Sequence, residues 1–190
     1  FIEKKMIDFV KELSACRVEG TKLPFYPEKV QGYTEKEVEL IAKNLNLDIH
    51  GQFREFLLQM GRCSGGLIWS DEFYMYKNLW NPNKFRHAQQ SEKEDLGYIL
   101  TSKGKLDPVD MKMFYLSREY ETYFYYLLTA ENDDFIWSLH DADDCVLEKT
   151  NITLLEYLKD YVFEKNKRNR FVDFGLTEEQ INRSITGRLL

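Results

Sequence analysis

The chain has 190 residues, 43% of them hydrophobic and 15% aromatic, which is enough apolar surface for one sizeable core in a single domain. Its 26 basic and 32 acidic residues leave a net charge of −6, which opposes nonspecific attraction to nucleic-acid phosphates or anionic lipid and suits a basic partner. No run of about eighteen uncharged apolar residues occurs, so no membrane span is expected and the expected location is the cytoplasm.

Ile2, Met6, Phe9, Val10 and Leu13 recur at helical spacing and predict an amphipathic opening helix, followed by the loop LPFYPEKVQGY. Thr34 and Glu37 spell a capping box, and Val38, Ile41, Ala42 and Leu45 form the apolar stripe of the helix it starts. Phe53, Phe56, Leu57 and Met60 repeat that spacing, and Gly61 stands where a left-handed C-cap calls for a residue without a Cβ. After Gly66 the run LIWSDEFYMY reads as extended. The turn-rich NLWNPNKF leads into KFRHAQQSEKEDL, a polar surface helix.

Between Met111 and Glu148 the runs MKMFYLS, ETYFYYLLT, FIWSLH and CVLEK predict strands, and connections as short as ENDD and DADD make them antiparallel neighbours. Leu154, Tyr157, Leu158 and Tyr161 then share one helical face behind a capping pair, Thr153 and Glu156. Thr177 and Gln180 mark a short terminal helix. Helices at both ends with strands between predict an α+β domain over 1–190, a central antiparallel sheet with helices packed at its N- and C-terminal sides.

The glycine-dense stretch GRCSGGLIW raises the question of chemistry. Gly61, Cys63 and Gly65 have the spacing of a nucleophile elbow, but an elbow needs a strand before the cysteine and a helix after it. Here a helix ends at Met60, which sets Cys63 beside the negative end of the helix dipole, where a thiolate is disfavoured. No Gly-Lys-Ser/Thr ending is present for a phosphate loop. Gly61, Gly65 and Gly66 are therefore read as structural.

The run from Tyr33 to Trp69, with its capped helix, the link NLDIHGQF, the helix core F-R-E-F-L-L and a Gly-Gly before an apolar run, resembles the SUKH superfamily of Smi/Knr-type cell-wall regulators and bacterial immunity proteins. The match covers most of 34–161, with Thr153 and Leu154 where family members carry a serine–phenylalanine pair; 1–27 is an N-terminal helix and loop, and 165–190 a C-terminal extension. The resemblance implies a noncatalytic module that binds another protein, most often a toxin it neutralises. A regulatory or scaffold protein of the cell-wall type is the alternative, and a hydrolase using Cys63 the second. No cofactor, metal or nucleic acid is expected.

Several clusters carry partner chemistry. HDADDC holds carboxylates, an imidazole and a thiol, yet between strands such a run is a solvated turn before it is a metal site. Cys16, Cys63 and Cys145 are odd in number and widely spaced, so neither a disulfide framework nor a thiolate zinc site is expected. Glu131, Asp133 and Asp134 in one turn and Asp141, Asp143 and Asp144 in the other make an acidic rim for a basic toxin domain if both turns lie at one end of the sheet. Tyr123 to Tyr126 must face both sides of a strand, which offers Tyr123 and Tyr125 as aromatic anchors for a partner, or as residues covered by the N-terminal helix. His50 and His87 have no partner at a motif spacing, and Lys165, Lys167, Arg168 and Arg170 read as a solvated basic run.

Overall fold

The computed structural model describes residues 5–70, 72–140, 145–169 and 175–190, with residues 168 and 169 described by backbone alone. Capping sets the helix starts. The Asp8 carboxylate accepts from the Lys11 N–H and opens α1, Phe9–Ser14. Thr34 and Glu37 form the full reciprocal capping box of α2, Glu35–Leu45. Thr177 and Gln180 do the same for α6, Glu178–Ile185. Helix α3 spans Gly51–Met60, α4 spans Pro82–Leu96 behind an Asn81 cap, and α5 spans Leu154–Asn169, where Thr153 supplies half of the expected box by accepting from the Glu156 N–H.

The strands are β1, Ile99–Thr101; β2, Gly104–Leu106; β3, Met113–Glu119; β4, Tyr123–Leu128; β5, Phe135–His140; and β6, Leu147–Thr153. The last four form one antiparallel sheet in chain order, and β1–β2 is a separate hairpin. With helices α1 to α3 before it and α5 and α6 after it, the fold is α+β, as expected. Alternation sends Phe114, Leu116, Leu127 and Ile136 to one face, where they meet Phe53, Phe56, Leu57 and Leu158 of the helices. Met113, Tyr115, Tyr126, Leu128, Trp137, Leu139 and Leu147 go to the other face and pack with Ile99 of β1 and Leu96 of α4. Both faces are covered, so β3 reads apolar almost throughout instead of alternating.

Both outer edges of the sheet are managed. Along β3, the buried Gln89 amide of α4 donates to the Tyr115 carbonyl and accepts from the Tyr115 N–H, each at 2.8 Å. Phe73 bridges Ser117 on the same edge. Along β6 the pairing with β5 is irregular between Phe135 and Trp137, and Val146 just ahead of it bridges Leu100 of β1.

Four expectations are corrected. LIWSDEFYMY forms no strand over its described residues: Tyr74–Tyr76 make a 3-10 turn, and Leu67, Ile68, Phe73, Met75 and Tyr76 fill the core as irregular chain. Apolar content drives that burial, but a strand also needs a partner along its length, and only Phe73 finds one. The first helix begins at Phe9, leaving Met6 72% exposed, and Ile2 lies outside the described residues. Gly61 caps α3 with φ −65°, an ordinary right-handed conformation, whereas the left-handed cap is Asn46 of α2, φ 52°. Lys165 is no solvated cation: its ammonium is buried 3.4 Å from the Glu72 carboxylate. Lys167 is exposed, Arg170 lies outside the described residues, and the side chain of Arg168 is not described.

The segment after 175 is part of the core. Ile185 and Leu189 are fully buried, and the backbone between them is threaded against two other loops: Gly187 N–H donates to the Arg62 carbonyl and Arg188 N–H to the Met75 carbonyl, both at 2.7 Å.

Candidate functional site

The glycine loop is built for close approach of backbones. A Cβ on Gly66, φ +107°, would overlap the Pro24 carbonyl oxygen, and one on Gly65, φ +66°, would lie 2.7 Å from the Tyr26 carbonyl oxygen. Cys63 sits between these strands of chain, bridged on one side to Gln31 and on the other to Thr186. Burial pushes its thiol pKa up, away from the thiolate a nucleophile needs. The glycines let three segments of main chain pack together.

The histidines do comparable work. His50 Nε2 faces the Thr129 carbonyl at 3.1 Å and the Glu131 carbonyl at 2.8 Å, so it donates to these acceptors and ties the α2–α3 link to the β4–β5 turn. His87 is exposed on α4. His140 stacks on Tyr123, ring centroids 4.3 Å apart and planes 5° from parallel. Among the described residues no group of three or more His, Cys, Asp or Glu is placed to hold a metal ion.

Behind β3 lies a titratable residue the sequence did not mark. Burial raises the pKa of Glu92 on α4, whose carboxylate accepts from the Tyr126 hydroxyl at 2.8 Å. The raised pKa means the folded protein holds this proton to higher pH than the unfolded chain does. The associated stability is present below the ordinary carboxylate pKa of 4.5 and is lost as pH rises through the raised value. Glu92→Gln, which keeps an acceptor for Tyr126 and removes the charge, is expected to be more stable than the wild type at neutral pH and equal to it near pH 4. Urea unfolding of both proteins across that range reads the difference directly.

The described residues expected to meet a partner are divided between the two ends of the sheet, Glu131, Asp133 and Asp134 at the β4–β5 turn and Tyr123 at the start of β4. At the β4–β5 turn, the Asp134 carboxylate accepts from the Gln52 N–H at the start of α3, at 2.9 Å, and the Asp134 carbonyl accepts from Leu154 at the start of α5. Asp133 accepts from the Phe135 N–H and pairs with Lys149. These two carboxylates hold helices and a turn in place and line a small pocket beside His50 and Phe53, whereas Glu131 lines the cleft under the β1–β2 hairpin. Asp141, Asp143 and Asp144 lie outside the described residues. The ends of β5 that adjoin the two acidic runs, Phe135 and His140, stand apart by the length of the strand, about 17 Å.

Tyr125 packs under α5, 4.9 Å from the Tyr157 ring, and burial pushes its pKa up to about 12. Its cover is α5 and not the N-terminal helix, and it is no free anchor. Tyr123 is 40% exposed beside a feature with no mark in the sequence. The β3–β4 turn places two non-glycine residues in left-handed conformations, Tyr120 at φ 49° and Glu121 at φ 61°. Thr122 N–H closes the turn on the Glu119 carbonyl at 3.3 Å. Two successive positive φ angles are the signature of a type I′ hairpin turn, where Asn-Gly is the usual pair. The strain, on the order of 1 kcal/mol for each residue, is held by Arg118, whose Nε and Nη2 donate to the Glu121 carbonyl at 3.2 and 2.9 Å while its guanidinium lies over the Phe124 ring. The result is a braced tip with Tyr120 72% exposed next to the Tyr123–His140 stack.

At the other end of the sheet the β1–β2 hairpin overhangs β5 and β6 and leaves a cleft of about 590 Å³ floored by Trp137. The hairpin was not expected from the sequence; Thr101–Gly104, with its glycine closing a tight turn, was the available signal.

No family model, curated protein or solved structure matches the chain. No helix among the described residues is long and apolar enough to cross a membrane.

Proposed function

We propose that the chain is a noncatalytic protein-binding module, as the SUKH-like pattern of residues 34–161 implies, acting by covering a basic partner such as a toxin domain, and that the β3–β4 tip is its principal contact. The observation that carries this reading is the strained turn. A sequence free to relax would place Asn-Gly there, and the bracing by Arg118 holds the strained turn so that it presents Tyr120, 72% exposed, at its tip. Tyrosine is a favoured anchor because it buries large area with little entropy to lose, and a braced turn lowers that loss further. Glu121 stands in the tip, and together with the net charge of −6 it favours a basic surface opposite. The raised pKa of Cys63 and its place between two backbone bridges weigh against the hydrolase reading.

The test is retention of a basic protein from native lysate by immobilised wild type and by two variants. Tyr120→Ser with Tyr123→Ser is expected to weaken retention at least tenfold, about the size of one interface anchor. Tyr120→Asn with Glu121→Gly is expected to raise the thermal midpoint, because the new pair suits the turn, and to weaken the same retention. Undiminished retention by both variants would refute the assignment of the tip.

A further inference from the structure

A pocket of about 290 Å³ lies between the C-terminal end of α2 and one face of α4, and its chemistry is opposite to that of the chain as a whole. Residues 44–46 form one wall. The other carries Arg86, Gln90 and Lys93, which recur at i, i+4 and i+7 and so share a face of the helix, with His87 beside them. No carboxylate lines the pocket, although the chain has 32 acidic residues against 26 basic. Glu94, one turn on from Gln90, accepts from its amide at 2.9 Å and is not part of the lining.

Lys93 is 5% exposed, and among the described residues its ammonium makes one hydrogen bond, to the Leu45 carbonyl at 3.1 Å. Because Leu45 is itself part of the lining, that bond fixes the ammonium at the wall of the pocket. An ammonium has three protons to donate, and a buried cation with no opposing charge is costly. Burial lowers the Lys93 pKa, and no carboxylate opposes the shift. Arg86 is likewise without a carboxylate among the described residues: its guanidinium donates to the Asn83 side-chain oxygen. Capping the last carbonyl of α2 accounts for one bond of one cation. It does not account for a second unpaired cation at the same pocket, nor for a lining free of acids.

We propose that this pocket binds a small dianion, the phosphoryl group of a phosphate or phosphate monoester, with the buried Lys93 ammonium and the half-buried Arg86 guanidinium as its two charge partners. Two cations beside a neutral His87 make a charge of two, which a phosphate dianion matches and a single carboxylate does not. The volume lies just under the range of about 300–1,000 Å³ usual for small-molecule sites, so the phosphoryl group carries few further atoms. The inference does not rest on the protein-binding reading.

The experiment is a titration of the full chain with inorganic phosphate, sodium chloride keeping the ionic strength constant, followed by NMR at the backbone amide signals of Asn44, Asn46 and Gln90. Saturable shifts of these signals are expected. Arg86→Gln, a change on a partly exposed helix face, is expected to weaken binding about tenfold, the size of one lost charge-assisted hydrogen bond. Lys93→Met keeps the length of the stem and is expected to abolish binding; should that variant fail to fold, Arg86→Gln carries the test alone. Glycerol phosphate separates the two sources: tighter binding than inorganic phosphate assigns an ester, equal or weaker binding the free anion, and either supports the site. Shifts that do not saturate, equal affinity for acetate, or unchanged affinity in Arg86→Gln would overturn the inference.

Discussion

Gly187→Ala is expected to destabilise the protein by about 3 kcal/mol, the upper range for overpacking a core by a single methyl group. A Cβ at this position would overlap the Gly61 carbonyl oxygen and lie 2.8 Å from the Tyr33 hydroxyl. Neither neighbour can yield easily. The Gly61 carbonyl follows directly on α3, and the Tyr33 hydroxyl accepts from the Leu189 N–H at 3.3 Å. Moving the 185–190 segment away would expose Ile185 and Leu189, both fully buried, and would break the bonds from Gly187 to Arg62 and from Arg188 to Met75. Gly66→Ala is expected to match it, since it combines φ +107° with overlap on the Pro24 carbonyl. Gly104→Ala is the control: Gly104 also has a positive φ, +124°, but a Cβ there meets nothing within 4 Å, so its cost is backbone strain alone. Chemical denaturation of the three variants checks the order. A Gly187→Ala protein as stable as the wild type would mean that the 185–190 segment is not packed against the glycine loop.

Gln89→Leu is the second large effect, with an expected loss of about 2–4 kcal/mol. The substitution is close in shape, so little packing changes. What changes is that the Tyr115 N–H and carbonyl, both buried, lose their partners, and an unsatisfied buried backbone group costs about 1–3 kcal/mol. The main chain of β3 cannot turn elsewhere, because its pairing with β4 shifts register between Tyr115 and Ser117, the same place where Gln89 reaches in. Gln89→Glu separates the two bonds. At neutral pH the carboxylate accepts from the Tyr115 N–H but cannot donate to the carbonyl; once protonated it does both, so its deficit should shrink on acidification. Denaturation curves at neutral and acidic pH check this, and a Gln89→Leu protein with wild-type stability would show that the edge of β3 is satisfied some other way. The exposed edge should also make Gln89→Leu more prone to associate, which light scattering would register.

Local signals were legible wherever the physics is local. A capping box needs only two residues three apart, so Thr34 with Glu37 and Thr177 with Gln180 could be read directly, and both are formed. The strands from Met113 to Thr153 were legible because short polar turns leave antiparallel pairing as the simplest arrangement. LIWSDEFYMY misled because burial and extension share one signal, apolar and aromatic content, and only the presence of a partner strand separates them. The tip was invisible for the opposite reason. Tyr-Glu is a poor type I′ pair, and nothing in the local sequence shows that Arg118 braces it from the side. The acidic rim assumed that two turns share an end of the sheet. Their separation by β5 alone places the strand ends that adjoin them far apart, while Asp134 and Asp133 are taken up by α3, α5 and Lys149.

The sequence by itself determined the α+β class, the capped starts of α2 and α6 and the four-stranded meander, because caps, periodicity and short turns act over a few residues. Tertiary structure alone decided that the glycine loop receives the 185–190 segment, that Gln89 closes the edge of β3, that Lys165 is buried against Glu72, and that Tyr120 and the Trp137 cleft stand at opposite ends of the sheet. Each of these joins residues far apart in the chain, and such contacts are fixed by the summed packing of the core and not by any property of the residues taken alone.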